Sequence, residues 1–291
     1  MSSFDRRRLL TIAAALRLAP AAWLAALVAS PARAVGGAFS RVRPGDAAWP
    51  SEASWKQLRQ EVGGALVKVR PPFADCLETP SAPACAELFK SASNPYFLSD
   101  DPGLTQTFGW VDAWISRASA YAVAARDTAD VVAAVNFART HKLRLVVKGG
   151  GHSYQGTSNA ADSLLVWTRK IAAIVIDAFV ARGCAGKAAP LRAVSVGAGA
   201  LWSQVYDAVT TKAGGYVQGG GCMSVGVAGL VQSGGFGSFS KSWGLACGNL
   251  LEAEVVTADG AVRIANACTN PELFWGLKGA AAAAVSASSP G

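Results

Sequence analysis

Two runs of glycine in this sequence each end in a side chain that can act as a nucleophile. The glycines at 149–151 lead directly into His152, and those at 219–221 lead directly into Cys222. Consecutive glycines expose backbone N–H groups with no Cβ in the way, which suits close binding of a pyrophosphate. A single run of this kind is more often an ordinary tight turn. Two runs, each followed by a nucleophile, favour a dinucleotide ligand.

A nicotinamide dinucleotide is the first candidate, but the spacing G-x-G-x-x-G that it requires is missing. From Gly149 the third glycine would fall at Tyr154, and from Gly235 it would fall at Ser240. Imidazole and thiolate, in contrast, are well suited to attack the electron-poor positions of an oxidised flavin. Taken singly, the histidine and the cysteine each have a simpler structural explanation. Their matching contexts favour a flavin.

The elements around the two runs alternate between short strands and helices. We predict a helix that begins after Asp127 or Thr128 and reaches His141, and a last helix from Pro271 to about Lys278 with Asn270 as its cap. Another helix is predicted over 201–212. Short apolar or β-branched runs predict the strands 143–147, 163–167, 171–177 and 193–196, and the hairpin 252–257 with 262–265.

The residues before this region fall into two segments. Residues 1–34 have three arginines from Arg6, an apolar stretch broken by Pro20, and a small-residue cleavage site, which predicts an export signal similar to twin-arginine signals. A membrane anchor is the alternative, which Arg17 and Pro20 disfavour. We therefore expect a periplasmic or extracellular protein with no stable membrane span after cleavage. Residues 35–118 are rich in proline and predict an extended arm with one or two short helices.

Composition narrows the class of protein further. The chain has 291 residues, of which 51% are hydrophobic, enough for one large or two modest domains. Of the net charge of +8, half comes from the first 34 residues, and no basic run follows, so nucleic acid is not an expected partner. With two histidines and no suitable cysteine spacing, no metal site is predicted. Cys76 and Cys85 could form a disulfide, and with Cys222 committed elsewhere at least one of the six cysteines must stay unpaired.

The string from Val147 to Gly156, with Gly221–Gly226 and the glycines of 234–237, resembles the berberine-bridge-enzyme-like branch of the vanillyl-alcohol-oxidase flavoproteins. The resemblance extends from roughly residue 121 to residue 278. It implies an α+β fold, a PCMH-type FAD-binding domain over 119–279, with the cofactor between two α/β subdomains. It also implies that one FAD is held by an 8α-histidyl bond from His152 and a 6-S-cysteinyl bond from Cys222.

Further site residues follow from the same resemblance. Val225, three residues after the cysteine, is of the smaller type associated with oxidases and would let O2 reach the flavin. The implied reaction is hydride transfer from an alcohol, a sugar or an amine to flavin N5, with O2 reduced to H2O2. The residues expected to bind the cofactor are Lys148, Gly149, Gly150, Gly151, Ser153, Tyr154, Gly219, Gly220, Gly221, Val225, Gly226, Gly234, Gly235 and Gly237.

The end of the chain limits this expectation. Members of the family continue into a substrate domain that supplies the catalytic bases, so no catalytic residue is predicted here. Residues 280–291 form an Ala/Ser tail where the family has a glycine run, which suggests a frameshift or a premature stop, with a short natural tail as the alternative. Besides the oxidase, two hypotheses stay open: an inactive flavin-binding fragment or pseudoenzyme, and an extracellular binding module without a cofactor.

Overall fold

A computed structural model of the chain describes residues 40–186 and 189–278, and the backbone of 284–286. The predicted export signal, and the Ala/Ser tail apart from that last strand, lie outside the described residues.

The first half of the described chain contains most of the helices. In chain order its elements are α1 (Glu52–Glu61), β1 (Leu66–Lys68), α2 (Ala74–Glu78), α3 (Pro83–Ser91), α4 (Pro95–Ser99), β2 (Gly109–Trp110), β3 (Trp114–Ile115), β4 (Tyr121–Ala124), α5 (Thr128–Thr140), β5 (Arg144–Lys148) and β6 (Ser163–Trp167).

The second half begins with a β-ribbon and ends in a small sheet. Its elements are β7 (Ile174–Phe179), β8 (Leu191–Val196), α6 (Trp202–Tyr206) continued by a π-helical turn (Asp207–Lys212), α7 (Val227–Gln232), α8 (Ser240–Trp243), a 3₁₀ turn (Ala246–Asn249), β9 (Glu252–Val256), β10 (Val262–Asn266), α9 (Pro271–Leu277) and β11 (Ala284–Ser286).

The larger sheet has the strand order β1-β4-β6-β5. Strands β4 and β5 run parallel to β6, and β1 runs antiparallel to β4. Every residue of β6 is buried, as expected for an inner strand covered on both faces. Because β5 ends at Lys148, the first glycine run leaves the sheet at its carboxyl edge.

The proline-rich segment belongs to the folded domain to a greater extent than the sequence predicts. It contains four helices rather than one or two, and its strand β1 joins the main sheet. Trp55 and Leu58, one helical turn apart, bury one face of α1 against α5. Pro83 and Pro95 begin helices instead of interrupting them, since proline is well tolerated at the first helical position.

The second half keeps the predicted elements with shifted ends. Strands β7 and β8 form an antiparallel pair, and the predicted strand 171–177 begins three residues later, at Ile174. The helix predicted over 201–212 changes to π-helix at Asp207. Asn270 occupies the predicted N-cap position of α9, although its side-chain amide donates to the carbonyl of Ile264 and makes no capping hydrogen bond. Its left-handed backbone, with φ of 48°, turns the chain into α9.

The cysteines divide as the sequence analysis requires. Cys76 and Cys85 form the expected disulfide, and Cys184 pairs with Cys268, a bridge that the sequence did not predict. Cys222 and Cys247 are unpaired. Across the described residues no group of His, Cys, Asp or Glu is arranged to hold a metal ion, and none of the helices there has the length and apolar character that a membrane span needs.

Candidate cofactor site

The fold brings the two glycine runs into contact. We call residues 149–152 the histidine loop and residues 219–226 the cysteine loop. A Cβ placed on Gly150 would lie 2.8 Å from the nitrogen of Gly226 and 2.9 Å from the carbonyl oxygen of Ser224. Side-chain carbons do not approach backbone so closely, so glycine at position 150 is what allows the two loops to meet.

The two predicted nucleophiles share one hydroxyl. Ser224 Oγ lies 3.0 Å from Nε2 of His152 and 3.5 Å from Sγ of Cys222. The ring nitrogen and the sulfur therefore lie no further apart than the sum of these distances, about 6.5 Å. Ser224 is 2% exposed, His152 is half-buried and Cys222 is exposed. The arrangement allows both nucleophiles to reach the same edge of one aromatic ring system.

Burial changes the protonation of the histidine. It lowers the pKa of His152 below its ordinary value, and the main chain of Ser224 raises that pKa in part. The imidazole therefore stays neutral, and nucleophilic, to a lower pH than a free imidazole does.

Both loops present backbone donors that have no acceptor among the described residues. The N–H groups of residues 149–152 and 219–222 donate to no atom of the described residues. Gly150, Gly151, Gly219 and Gly220 are buried. A buried N–H without an acceptor is rare and costs about 1–3 kcal/mol. Such donors fit an anionic or carbonyl-rich ligand, and they match the pyrophosphate and the flavin ring expected from the sequence.

The side chain of Lys148 has a structural role. Its ammonium is buried and donates to the carbonyls of Asp101, Pro102 and Leu104 at 2.6, 3.0 and 2.9 Å. Burial lowers the pKa of Lys148 to about 7, and Asp101 raises it in part. The ammonium thus binds residues 101–104, the segment that follows α4, next to the histidine loop. The side chain of Lys148 is thus engaged with the protein, and the cofactor contact expected of this residue stays a prediction.

The cysteine loop lies against aromatic rings. A Cβ on Gly219 would come 2.5 Å from the ring of Trp202, and one on Gly237 would come 1.9 Å from the carbonyl oxygen of Gly219. The hydroxyl of Tyr206 donates to the carbonyl of Gly220 at 2.6 Å. Burial raises the pKa of Tyr206 to about 12, so this donor is neutral at ordinary pH.

The other predicted site residues are placed as follows. Ser153 closes a turn by bonding Thr157, and Tyr154 is 73% exposed beside Trp110. Val225 accepts a hydrogen bond from Trp202 through its carbonyl. The carbonyls of Gly234 and Gly235 accept hydrogen bonds from the backbone of the 3₁₀ turn, and the cofactor contact of these glycines stays a prediction. The sequence predicts no individual role for Ser224, because one serine two residues after a cysteine carries no spacing signal.

Together the fold and the site define a nucleotide-binding domain with two nucleophiles at its centre. Residues 119–266 match the FAD binding domain family, and the chain belongs to that family. The expected α+β, PCMH-type fold is confirmed.

Similar proteins agree with this assignment. The FAD-linked oxidoreductase malF of Malbranchea aurantiaca is 35% identical over 261 residues, which are 82% of this chain and 44% of that protein. The VAO-type flavoprotein MtVAO615 of Myceliophthora thermophila C1 superposes with a TM-score of 0.74 at 32% identity, over 84% of this chain and 48% of that one.

A third relative is described by its cofactor. Glucooligosaccharide oxidase from Acremonium strictum, which has a 6-S-cysteinyl, 8α-N1-histidyl FAD, superposes with a TM-score of 0.51 at 26% identity, over 58% of this chain and 34% of that one. The chain spans about half the length of the curated relatives it matches.

Proposed function

We propose that the chain binds one FAD covalently through both His152 and Cys222, and that the protein is a flavin-dependent oxidase. The observation that carries the proposal is the shared hydroxyl of Ser224, which holds the imidazole and the thiol within about 6.5 Å of each other. The unpaired N–H groups of both loops supply donors for the remainder of the cofactor. The glucooligosaccharide oxidase, whose FAD has both a cysteinyl and a histidyl linkage, also supports this proposal.

The attachment chemistry needs no protein oxidant. His152 and Cys222 would each replace a C–H bond of a bound isoalloxazine by a C–N or a C–S bond, and the two hydrogens released, one from carbon and one from the nucleophile, would be taken up by the ring and then by dioxygen, giving hydrogen peroxide. A tether of either kind draws electron density from the ring, which makes the flavin a stronger oxidant. It also prevents loss of the cofactor.

When bound, FAD accepts a hydride at N5 and returns the electrons to O2. We propose an alcohol, a sugar or an amine as the hydride donor. Val225, half-buried next to the cysteine, is the residue proposed to admit O2. The base that removes the substrate proton is not assigned to this chain.

We also propose that residues 1–34 direct export. FAD is scarce outside the cytoplasm, and a covalently bound FAD would not be lost there. Replacing Arg6, Arg7 and Arg8 by lysine should retain the protein in the cytoplasm if the signal is of the twin-arginine type. Fractionation of cells that express either form measures this, and an unchanged distribution would contradict the proposal.

An inactive flavin-binding protein is the second candidate, because no base that removes the substrate proton is assigned to this chain. The chain is incubated with FAD, freed of unbound flavin by gel filtration, and measured by absorbance and by peroxide production with a panel of sugars, alcohols and amines. Flavin absorbance with peroxide supports the oxidase. Absorbance without peroxide supports the inactive flavin-binding protein. A chain without absorbance supports the cofactor-free binding module, which leaves the unpaired donors of both loops unexplained.

A further inference from the structure

The buried hydroxyl of Ser224 contacts both nucleophiles of the site, yet it is neither of them. It lies 3.0 Å from the ring nitrogen Nε2 of His152 and 3.5 Å from the sulfur of Cys222. A hydroxyl has one proton to donate and lone pairs to accept with. Two proton arrangements are therefore possible along the row of three side chains.

In the first arrangement Nε2 carries the ring proton and donates it to Ser224, whose own proton lies toward Cys222. In the second arrangement Ser224 donates to Nε2, and the ring proton sits on Nδ1. Within the described residues the partners of the His152 ring both belong to Ser224: its hydroxyl faces Nε2, and its main chain also bonds the ring. The first arrangement places the ring proton at Nε2, where the hydroxyl accepts it, whereas the second places it at Nδ1, which the hydroxyl does not face. An N–H without an acceptor is rarer and costlier than an unpaired lone pair.

We propose that Ser224 is the positioning residue for flavin attachment: it holds the ring proton of His152 on Nε2, so that Nδ1 presents its lone pair, and it turns its own proton toward Cys222. This inference rests on the proposed function. The bond to carbon must form at a nitrogen with a free lone pair, so a fixed tautomer removes the need for a separate base at His152.

The surroundings of Ser224 support a fixed geometry. Its side chain is 2% exposed, and its carbonyl oxygen lies against Gly150 where the two loops touch. The titratable groups that share this hydroxyl are His152 and Cys222. The nearby Tyr206, which bonds Gly220, is neutral at ordinary pH.

The test compares Ser224→Thr with Ser224→Val, two side chains of nearly equal shape that differ in the hydroxyl. Ser238→Ala, at an exposed position of the same segment, is the matched control. The first readout is the ¹⁵N NMR spectrum of the flavin-free protein at pH 8. The chain has two histidines, so His141 serves as the internal reference.

We expect the Nε2–H tautomer at His152 in wild type, in Ser224→Thr and in the control, and a mixture of tautomers in Ser224→Val. The second readout is the rate of flavin attachment at each nucleophile, followed by peptide mass spectrometry. Loss of one hydrogen bond should slow attachment at His152 about tenfold in Ser224→Val, with the threonine variant near wild type.

A wild-type protein with the proton on Nδ1, or equal rates in the threonine and valine variants, would overturn the inference. If wild type has the Nε2–H tautomer but acquires no flavin, the proposed function fails while the assignment of the proton stands. The NMR measurement does not depend on flavin, so the two failures are distinguishable.

Discussion

The histidine loop and the cysteine loop have the same glycine pattern but are held in place by different contacts. The histidine loop rests on buried hydrogen bonds: the carbonyl of Gly150 accepts from Ser99, that of Gly151 accepts from the backbone of Gln106, and Lys148 fastens the segment below. The cysteine loop rests on the ring of Trp202 and presents an exposed thiol. A similar sequence pattern thus gives a half-buried histidine in one loop and an exposed cysteine in the other.

The largest expected effect is on stability, at the contact between the loops. Gly150→Ala places a carbon within 3 Å of two backbone atoms of the cysteine loop and should lower the free energy of unfolding by about 3 kcal/mol. Gly221→Ala, whose Cβ meets nothing within 4 Å, should change it by less than about 0.5 kcal/mol. Urea denaturation of both variants measures the difference. Equal losses of unfolding free energy in the two variants would contradict the close contact between the loops at Gly150.

A smaller effect is expected beneath the histidine loop. Lys148→Met leaves three carbonyls without their shared donor and should cost about 2 kcal/mol of unfolding free energy, while the exposed Lys170→Met should be nearly neutral. Thermal denaturation at pH 7 compares the two variants. A neutral Lys148→Met would show that the ammonium does not fasten this segment.

The same lysine gives a dependence on pH. Because the pKa of Lys148 is about 7 in the folded protein and near 10.5 in the unfolded chain, the unfolded chain binds the proton more tightly between these values. The free energy of unfolding contributed by this group therefore rises as pH increases from 7 toward 10. The slope should disappear in Lys148→Met, and a slope that persists unchanged in that variant would assign it to other groups.

Some features of the fold and of the site can be predicted from the sequence, and others cannot. Strand 163–167 is predicted with its correct ends, because five buried positions in an inner strand leave a continuous apolar run. The helices of residues 35–118 are predicted poorly from the sequence. Proline usually interrupts a helix, whereas Pro83 and Pro95 begin helices here. The buried role of Lys148 and the position of Ser224 depend on contacts with residues distant in the chain, which no local pattern records.

The smallest expected effect is on the protonation of the histidine. Since burial lowers the pKa of His152 below the ordinary 6.5, the rate of flavin attachment through this residue should fall to half its maximum at a pH below 6.5. A Cys222→Ala protein, which has one linkage left, gives the cleanest measurement across pH 5–8. A half-maximal rate above pH 6.5 would contradict the effect of burial on this group.

The central claim is that one flavin is bonded to both loops. Denaturing electrophoresis of the protein, followed by ultraviolet illumination of the acidified gel, tests it directly in wild type, His152→Ala, Cys222→Ala and the double variant. We predict a flavin band in wild type and in each single variant, and none in the double variant. A dark wild-type band, or a single variant that loses all of its flavin, would contradict attachment through both residues.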